Sequence, residues 1–246
     1  MTRIGYVKAS DNRVTDNTPF SWVYPQGTYA MMSYNKAATW LYTLEGIIGT
    51  ETIDEVYREF YREWGFKHPT AADFVNVTSR VVKEIHGEKF GENMDWFFDQ
   101  TLYGTGICDY KLDGISNSKI RSFKGIVYSD TGMVMLQHDI SNDTLYKSTV
   151  RIQRLGEVML PVDILVHFDD GSEILESWDG KARFYDLNYE GAHRAEWAKI
   201  DPYMKIYMDV NLVNNSYTID PDHVPIRKFT RKLSTYLLLL NQFLSL

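Results

Sequence analysis

The sequence predicts an α+β fold, a helical part followed by an immunoglobulin-like β-sandwich. Three observations carry this. Apolar residues recur at helical spacing from about Ser33 to Gln100, the period falls to two beyond Gly104, and the stretch between Tyr103 and Lys119 is rich in Gly, Asp and Ser. The 246 residues are 44% apolar and 14% aromatic, enough to fill packed cores, so a disordered chain is excluded. The expected division is 1–110 for the helical part, 111–220 for the sandwich and 221–246 for a basic, then apolar tail.

Taken in order, Ala37, Ala38, Leu41, Leu44, Ile47 and Ile48 mark a first helix, closed by Gly49. Thr50 or Thr52 opens a second, with Ile53, Val56, Tyr57, Phe60 and Trp64 on one side and a solvated charged face between Glu51 and Glu63. Thr70-Ala71-Ala72-Asp73 resembles a capping box and starts a third helix through Phe74, Val77, Val81, Val82 and Ile85 to Gly87. A fourth follows around Asn93 to Leu102. Beyond the Gly-rich stretch, which reads as a linker, strands are expected at Ile120 to Val127, Val134 to His138, Thr149 to Leu155, Val162 to Phe168, Glu173 to Ser177, Arg183 to Leu187, Arg194 to Ile200 and Ile206 to Val210. Asp170-Gly171 and Asp179-Gly180 read as hairpin turns, because tight hairpins place positive φ at their centres. Seven or eight such strands imply a sandwich.

A formal net charge of −7 gives no footprint for nucleic acid, whose binders gather cations on one face. The one cysteine, Cys108, has no partner for a disulfide and reads as a small buried hydrophobe. The opening residues carry no apolar core of a secretory signal. Thr235 to Leu246 is apolar over about half of the roughly 20 residues that cross a bilayer. Arg227, Lys228, Arg231 and Lys232 precede it, the arrangement found on the cytoplasmic side of a membrane helix. Two expectations stay open for this tail: membrane association through a continued C-terminus, or a helix docked on the body. The compartment is not fixed by the sequence.

Local chemistry is sparse. A metallopeptidase zinc site needs two imidazoles one turn apart with a Glu between them. His68, His86, His138, His167, His193 and His223 form no such pair, and neither a nucleophile elbow nor a phosphate-cradling loop occurs. Asp169, Asp170, Asp179 and Asp186 lack the dense alternation of a calcium loop. Phe20, Trp22, Tyr24, Tyr29 and Tyr34 are candidates to line a cleft.

One ordered set of segments carries more. Ser33-Tyr34-Asn35-Lys36-Ala37-Ala38, followed by Leu41, Leu44 and Ile48-Gly49, resembles the S-Y-x-K-G segment of the aminopeptidase N family of zinc peptidases. In the same order, His68 to Phe74 resembles that family's h-x-T-x-x-D-F helix start, and Met94 to Gln100 its w-F-f-x-q-w block. Val150 to Pro161, Phe168 to Gly171, Asp201-Pro202 and Asp209 to Ser216 are similar to its following β-sandwich. The resemblance covers roughly Pro19 to Thr218. It implies the helical part of a thermolysin-like, gluzincin catalytic domain, and a parent protein that uses zinc to remove N-terminal residues from peptide substrates.

The resemblance also maps the family's oxyanion-binding tyrosine onto Tyr34. A phenol with a pKa of about 10 stays protonated at neutral pH, and a fixed donor aimed at developing negative charge lowers a barrier by about 2 to 4 kcal/mol. Two departures stand. Ala37 replaces the family's Gly, and the 33 residues before Tyr34 cannot hold the His-Glu-x-x-His helix or the third zinc ligand that precede this tyrosine in the family. The chain itself is therefore expected to bind no zinc and to be inactive alone. The rival expectation is a non-catalytic module binding a partner or glycan through Trp178, Tyr185, Tyr189 and Trp197, for which exposed coplanar rings are the criterion.

Overall fold

The structure is a computed structural model that describes residues 2–10, 23–24, 28–120, 123–129, 132–138, 145–221 and 223–244. Its first half is helical: α1 (Thr2–Ser10), a π-helical turn (Met31–Lys36) running directly into α2 (Ala37–Ile48), then α3 (Thr50–Trp64), α4 (Ala71–His86) and α5 (Asp95–Thr101). The last four follow the expected apolar spacing. In α3, Ile53 and Val56 are buried while Arg58 and Arg62 stay in water beside Glu55 and Glu59. The capping box at α4 is formed, with the Thr70 backbone N–H donating to the Asp73 carboxylate at 2.7 Å, which satisfies one donor orphaned at the helix start.

Aromatic rings weld the helices together. Phe97 and Phe98 of α5 are fully buried. Phe98 meets Trp40 of α2 and Phe74 of α4 edge to face, with ring centroids 5.9 and 6.1 Å apart. That geometry sets the positive edge of one ring against the negative face of the next.

The second half is built of strands β1 (Tyr110–Lys119), β2 (Phe123–Ser129), β3 (Gly132–His138), β4 (Tyr146–Arg154), β5 (Val162–Phe168), β6 (Glu173–Trp178), β7 (Phe184–Gly191), β8 (Ala195–Ile200) and β9 (Ser216–Thr218). They form one sheet in the order β1-β4-β7, another in the order β6-β5-β8-β9, and a separate β2-β3 hairpin, with antiparallel pairing throughout. Along β5 every second residue, Val162, Ile164, Val166 and Phe168, is buried. These join Tyr110 and Leu112 of β1, Val150 and Ile152 of β4 and Leu187 of β7 in a core continuous with that of the helices. The molecule is thus mixed helix and sheet, in keeping with the α+β expectation.

Three local expectations are corrected. Residues 110–119, expected as linker, form β1, an edge strand with a register shift between Leu112 and Gly114. An edge strand tolerates the Asp, Gly, Ser and Asn that give it the composition of a loop. Asp179-Gly180 is not a hairpin turn, since β6 pairs with β5 and β7 with β4, so the chain crosses between sheets there. Gly180, at φ 71°, is held by the buried Arg154, whose Nε donates to its carbonyl at 2.8 Å. A Cβ at Gly180 would stand 2.4 Å from the Leu160 carbonyl oxygen. Finally, Ile206 to Val210 is not a strand. It is a largely buried irregular segment in which two amides are satisfied by side chains, Ile206 N by the Asp201 carboxylate at 2.8 Å and Met208 N by the Thr43 hydroxyl at 3.1 Å, and Val210 N by the Cys108 carbonyl at 2.9 Å.

This segment also joins the two halves. Arg3 of α1 donates to the carbonyl oxygens of Tyr207 and Asp209, and the α2 backbone at Gly46 lies directly against Lys205. At the far end α6 (Val224–Leu244) forms a 21-residue helix whose described side chains are all exposed, rather than docked on the body.

Candidate functional site

Tyr34 sits on the π-helical turn that leads into α2. The wide turn is fixed from below: Lys36 is buried and its ammonium donates to the Gly104 carbonyl at 2.7 Å, while the Thr39 hydroxyl donates to the Asn35 carbonyl at 2.6 Å. Ala37, where the family has Gly, takes ordinary helical angles (φ −58°, ψ −50°), and its N–H closes the turn onto the Met32 carbonyl. Nothing at that position demands glycine.

Above this anchored turn Tyr34 is 60% exposed. Its ring meets Tyr29 edge to face at 5.9 Å, and Tyr29 in turn lies 6.3 Å from Tyr24. The hydrogen bond to Tyr34 raises the Tyr29 hydroxyl above the ordinary phenol range. Three of the five expected cleft aromatics thus form one run of rings; Phe20 and Trp22 lie outside the described residues. What the run offers chemically is a phenol presented to solvent from an anchored backbone.

The histidines are not brought together. His86 pairs with the Thr52 hydroxyl at 2.8 Å, His167 stacks on Trp197 at 4.8 Å, and His193 lies 3.1 Å from Asp169. The side chain of His138 is outside those described, and His68 and His223 are exposed on opposite halves of the chain. Among the described residues no group of three or more His, Cys, Asp or Glu side chains is placed to hold a metal ion. The groups beside Tyr34 are phenols, so the described donor set does not fit zinc. The four aspartates considered for calcium are engaged by protein partners: Asp169 by Arg194, Asp170 by Ser172, Asp179 by the Lys181 amide, and Asp186 by a two-pronged Arg151 at 2.7 and 2.8 Å. Hydrogen bonding to Arg151 holds Asp186 below the usual carboxylate range.

The sheet aromatics do not make an exposed platform. Trp178 is buried, stacked on half-buried Tyr185 at 5.6 Å, and Tyr189 and Trp197 are half-buried.

A feature that sequence reasoning missed is a buried polar junction at the meeting of the halves. Asp209 accepts from Asn215 Nδ2 at 2.8 Å, from the Asn211 amide at 2.9 Å and from the Tyr110 amide at 3.3 Å. Burial lifts its pKa to about 6 in spite of those hydrogen bonds. Cys108, fully buried beside it, is pushed well up by desolvation and stays a thiol. The junction therefore organises backbone and offers no nucleophile. Its only sequence signal is the Asn-rich run around Asp209. A separate cavity of about 190 Å³ lies between α2 and the sheets, lined by Gly46, Ile47, Phe90 and the Lys205–Asp163 ion pair at 2.7 Å.

The described residues thus define a mixed helix-and-sheet protein with an exposed tyrosine run and a buried polar seam. No protein-family model matches the chain, and no curated protein matches it. Among solved structures it is similar to an aminopeptidase A of Legionella pneumophila, determined in complex with aspartic acid, with a TM-score of 0.43 and 12% identity. The match covers 81% of this chain and 20% of that one, so the chain spans about a fifth of its neighbour's length.

Proposed function

We propose that this chain is a portion of a zinc-dependent aminopeptidase that removes N-terminal residues from peptides, with Tyr34 as the donor to the oxyanion of the tetrahedral intermediate. On this reading α2 to α5 are the end of a thermolysin-like catalytic domain and the two sheets an immunoglobulin-like sandwich. Its main support is the ordered set of resembling segments from Ser33 to Ser216. The carrying structural observation is the setting of Tyr34, an exposed phenol on a π-helical turn whose backbone is anchored by buried Lys36. π-helical turns inside helices recur at functional sites.

Zinc, in this reading, belongs to the parent protein and supplies Lewis acidity toward the substrate carbonyl. On this reading its ligands come from the rest of the parent, and the residues described here act beside it. What they contribute is a donor already in place before the reaction, so that little reorganisation is needed as negative charge develops.

The test is Tyr34→Phe in the parent protein encoded by the extended reading frame. The parent is expected to bind about one zinc per chain and to hydrolyse aminoacyl-4-nitroanilides. Tyr34→Phe is expected to lower kcat by about 100-fold or more with zinc content unchanged. A zinc-loaded parent that is inert, or a Phe variant with undiminished kcat, overturns the reading.

A further inference from the structure

We propose that α6 is an interfacial helix that binds the surface of a bilayer containing anionic phospholipid. At about 100° per residue, Ile226, Phe229, Leu233, Tyr236, Leu237 and Leu240 fall on one face of this helix. Arg227, Lys228, Arg231 and Lys232 fall on the opposite face. All six apolar side chains are exposed, from 46% for Leu233 to 69% for Tyr236, and none joins the core among the described residues. Water is a poor solvent for such a stripe, which at about 1.5 Å per residue runs for roughly 20 Å.

Charge selects the occupant. The helix has four cations and neither Asp nor Glu, in a chain whose net charge is −7. This helix is therefore net positive within a net negative chain, complementary to an anionic surface. The apolar pattern favours lipid over a second helix. A helix-pairing seam is a narrow stripe, whereas the consecutive Leu237, Leu238, Leu239 and Leu240 carry apolar side chains around the whole circumference of one turn. That half suits immersion among acyl chains, with the cations of the N-terminal half at headgroup level. No helix of the described residues is long and apolar enough to cross a membrane.

The experiment is co-sedimentation of the full chain with phosphatidylcholine vesicles, with and without about 30% phosphatidylserine, supported by the fluorescence of a Phe229→Trp variant read against the unsubstituted chain. Binding is expected only with phosphatidylserine, accompanied by a blue shift in the emission of the introduced indole, and weakened at least tenfold in about 0.5 M salt. Replacing all four cations by Gln is expected to weaken it on the order of 100-fold, and Leu233→Glu with Leu237→Glu to abolish it. Circular dichroism and thermal unfolding of each variant report whether the body still folds. Equal binding by the Gln variant, or no binding by the folded wild type, overturns the proposal. So does a dimer in light scattering that the Glu variant dissolves without any vesicle binding, which assigns the face to a second copy of the chain.

Discussion

At the residue scale Tyr34 is singled out by the resemblance of the Ser33 to Ala38 segment to a family pattern and not by spacing. Its run of rings with Tyr29 and Tyr24 is legible only as a group of aromatics near one another in the chain. Asp209 is not legible as a buried acid, because its partners Tyr110 and Asn215 reach it from distant or irregular backbone. Its raised pKa has a definite consequence. The folded carboxyl, at about 6, holds its proton more tightly than an ordinary carboxyl at about 4. The stability it contributes is fully present below the unfolded value and is lost as pH rises toward the folded one. A rise from about 4 to about 6 corresponds to an upper bound of roughly 3 kcal/mol across that window. Asp209→Asn is therefore expected to flatten the decline in stability between about pH 4 and 6 relative to wild type, measured by urea unfolding at each pH. Parallel profiles for the two proteins would show that the junction carries no proton.

At the element scale, legibility follows how much of an element's signal is local. α4 is readable to its first residue because a capping box is a four-residue device, and Thr70 and Asp73 form it. Residues 110–119 do not read as a strand because β1 draws its stability from pairing with β4 and from burying Tyr110 and Leu112, while Asp113, Gly114, Ser116, Asn117 and Ser118 are turn formers. Ile206 to Val210 misleads in the opposite way, its alternation matching a strand although its amides bond to Asp201 and Thr43. The cap supplies the prediction at this scale. Thr70→Ala removes the side-chain acceptor and is expected to cost about 1 kcal/mol, lowering Tm by roughly 2 to 4 °C in a chain of this size. Thr70→Ser keeps the oxygen and is expected to restore most of that loss. Identical Tm values for Ala and Ser variants would mean that α4 starts independently of its cap.

At the scale of the whole molecule, the change of period near Gly104 marks where helices give way to strands but says nothing about how the halves unfold. One continuous core runs from Trp40 and Phe98 through Cys108 and Met208 to Ile164 and Ile200. The 201–210 segment is its hinge piece, pinned to α1 by Arg3 and to α2 by Thr43. Buried backbone that is satisfied only across this seam makes separation costly, because parting the halves leaves the Met208 amide without its partner. The sheet signal and the part of the helical signal that α2 to α5 contribute are therefore expected to disappear in one transition, α6 standing outside the shared core. Gly46 is where this coupling can be attacked, since a Cβ there would meet the Lys205 carbonyl oxygen at 2.3 Å, with backbone on both sides. Gly46→Ala must push α2 away from the seam, so it is expected to lower stability by more than about 1 kcal/mol even though Ala is the better helix former. If the seam couples the halves, the loss appears equally in far-UV ellipticity and in sheet-side tryptophan fluorescence from Trp178. A Gly46→Ala protein that loses helical signal first, with Trp178 unchanged, would mean that each half has a core sufficient by itself.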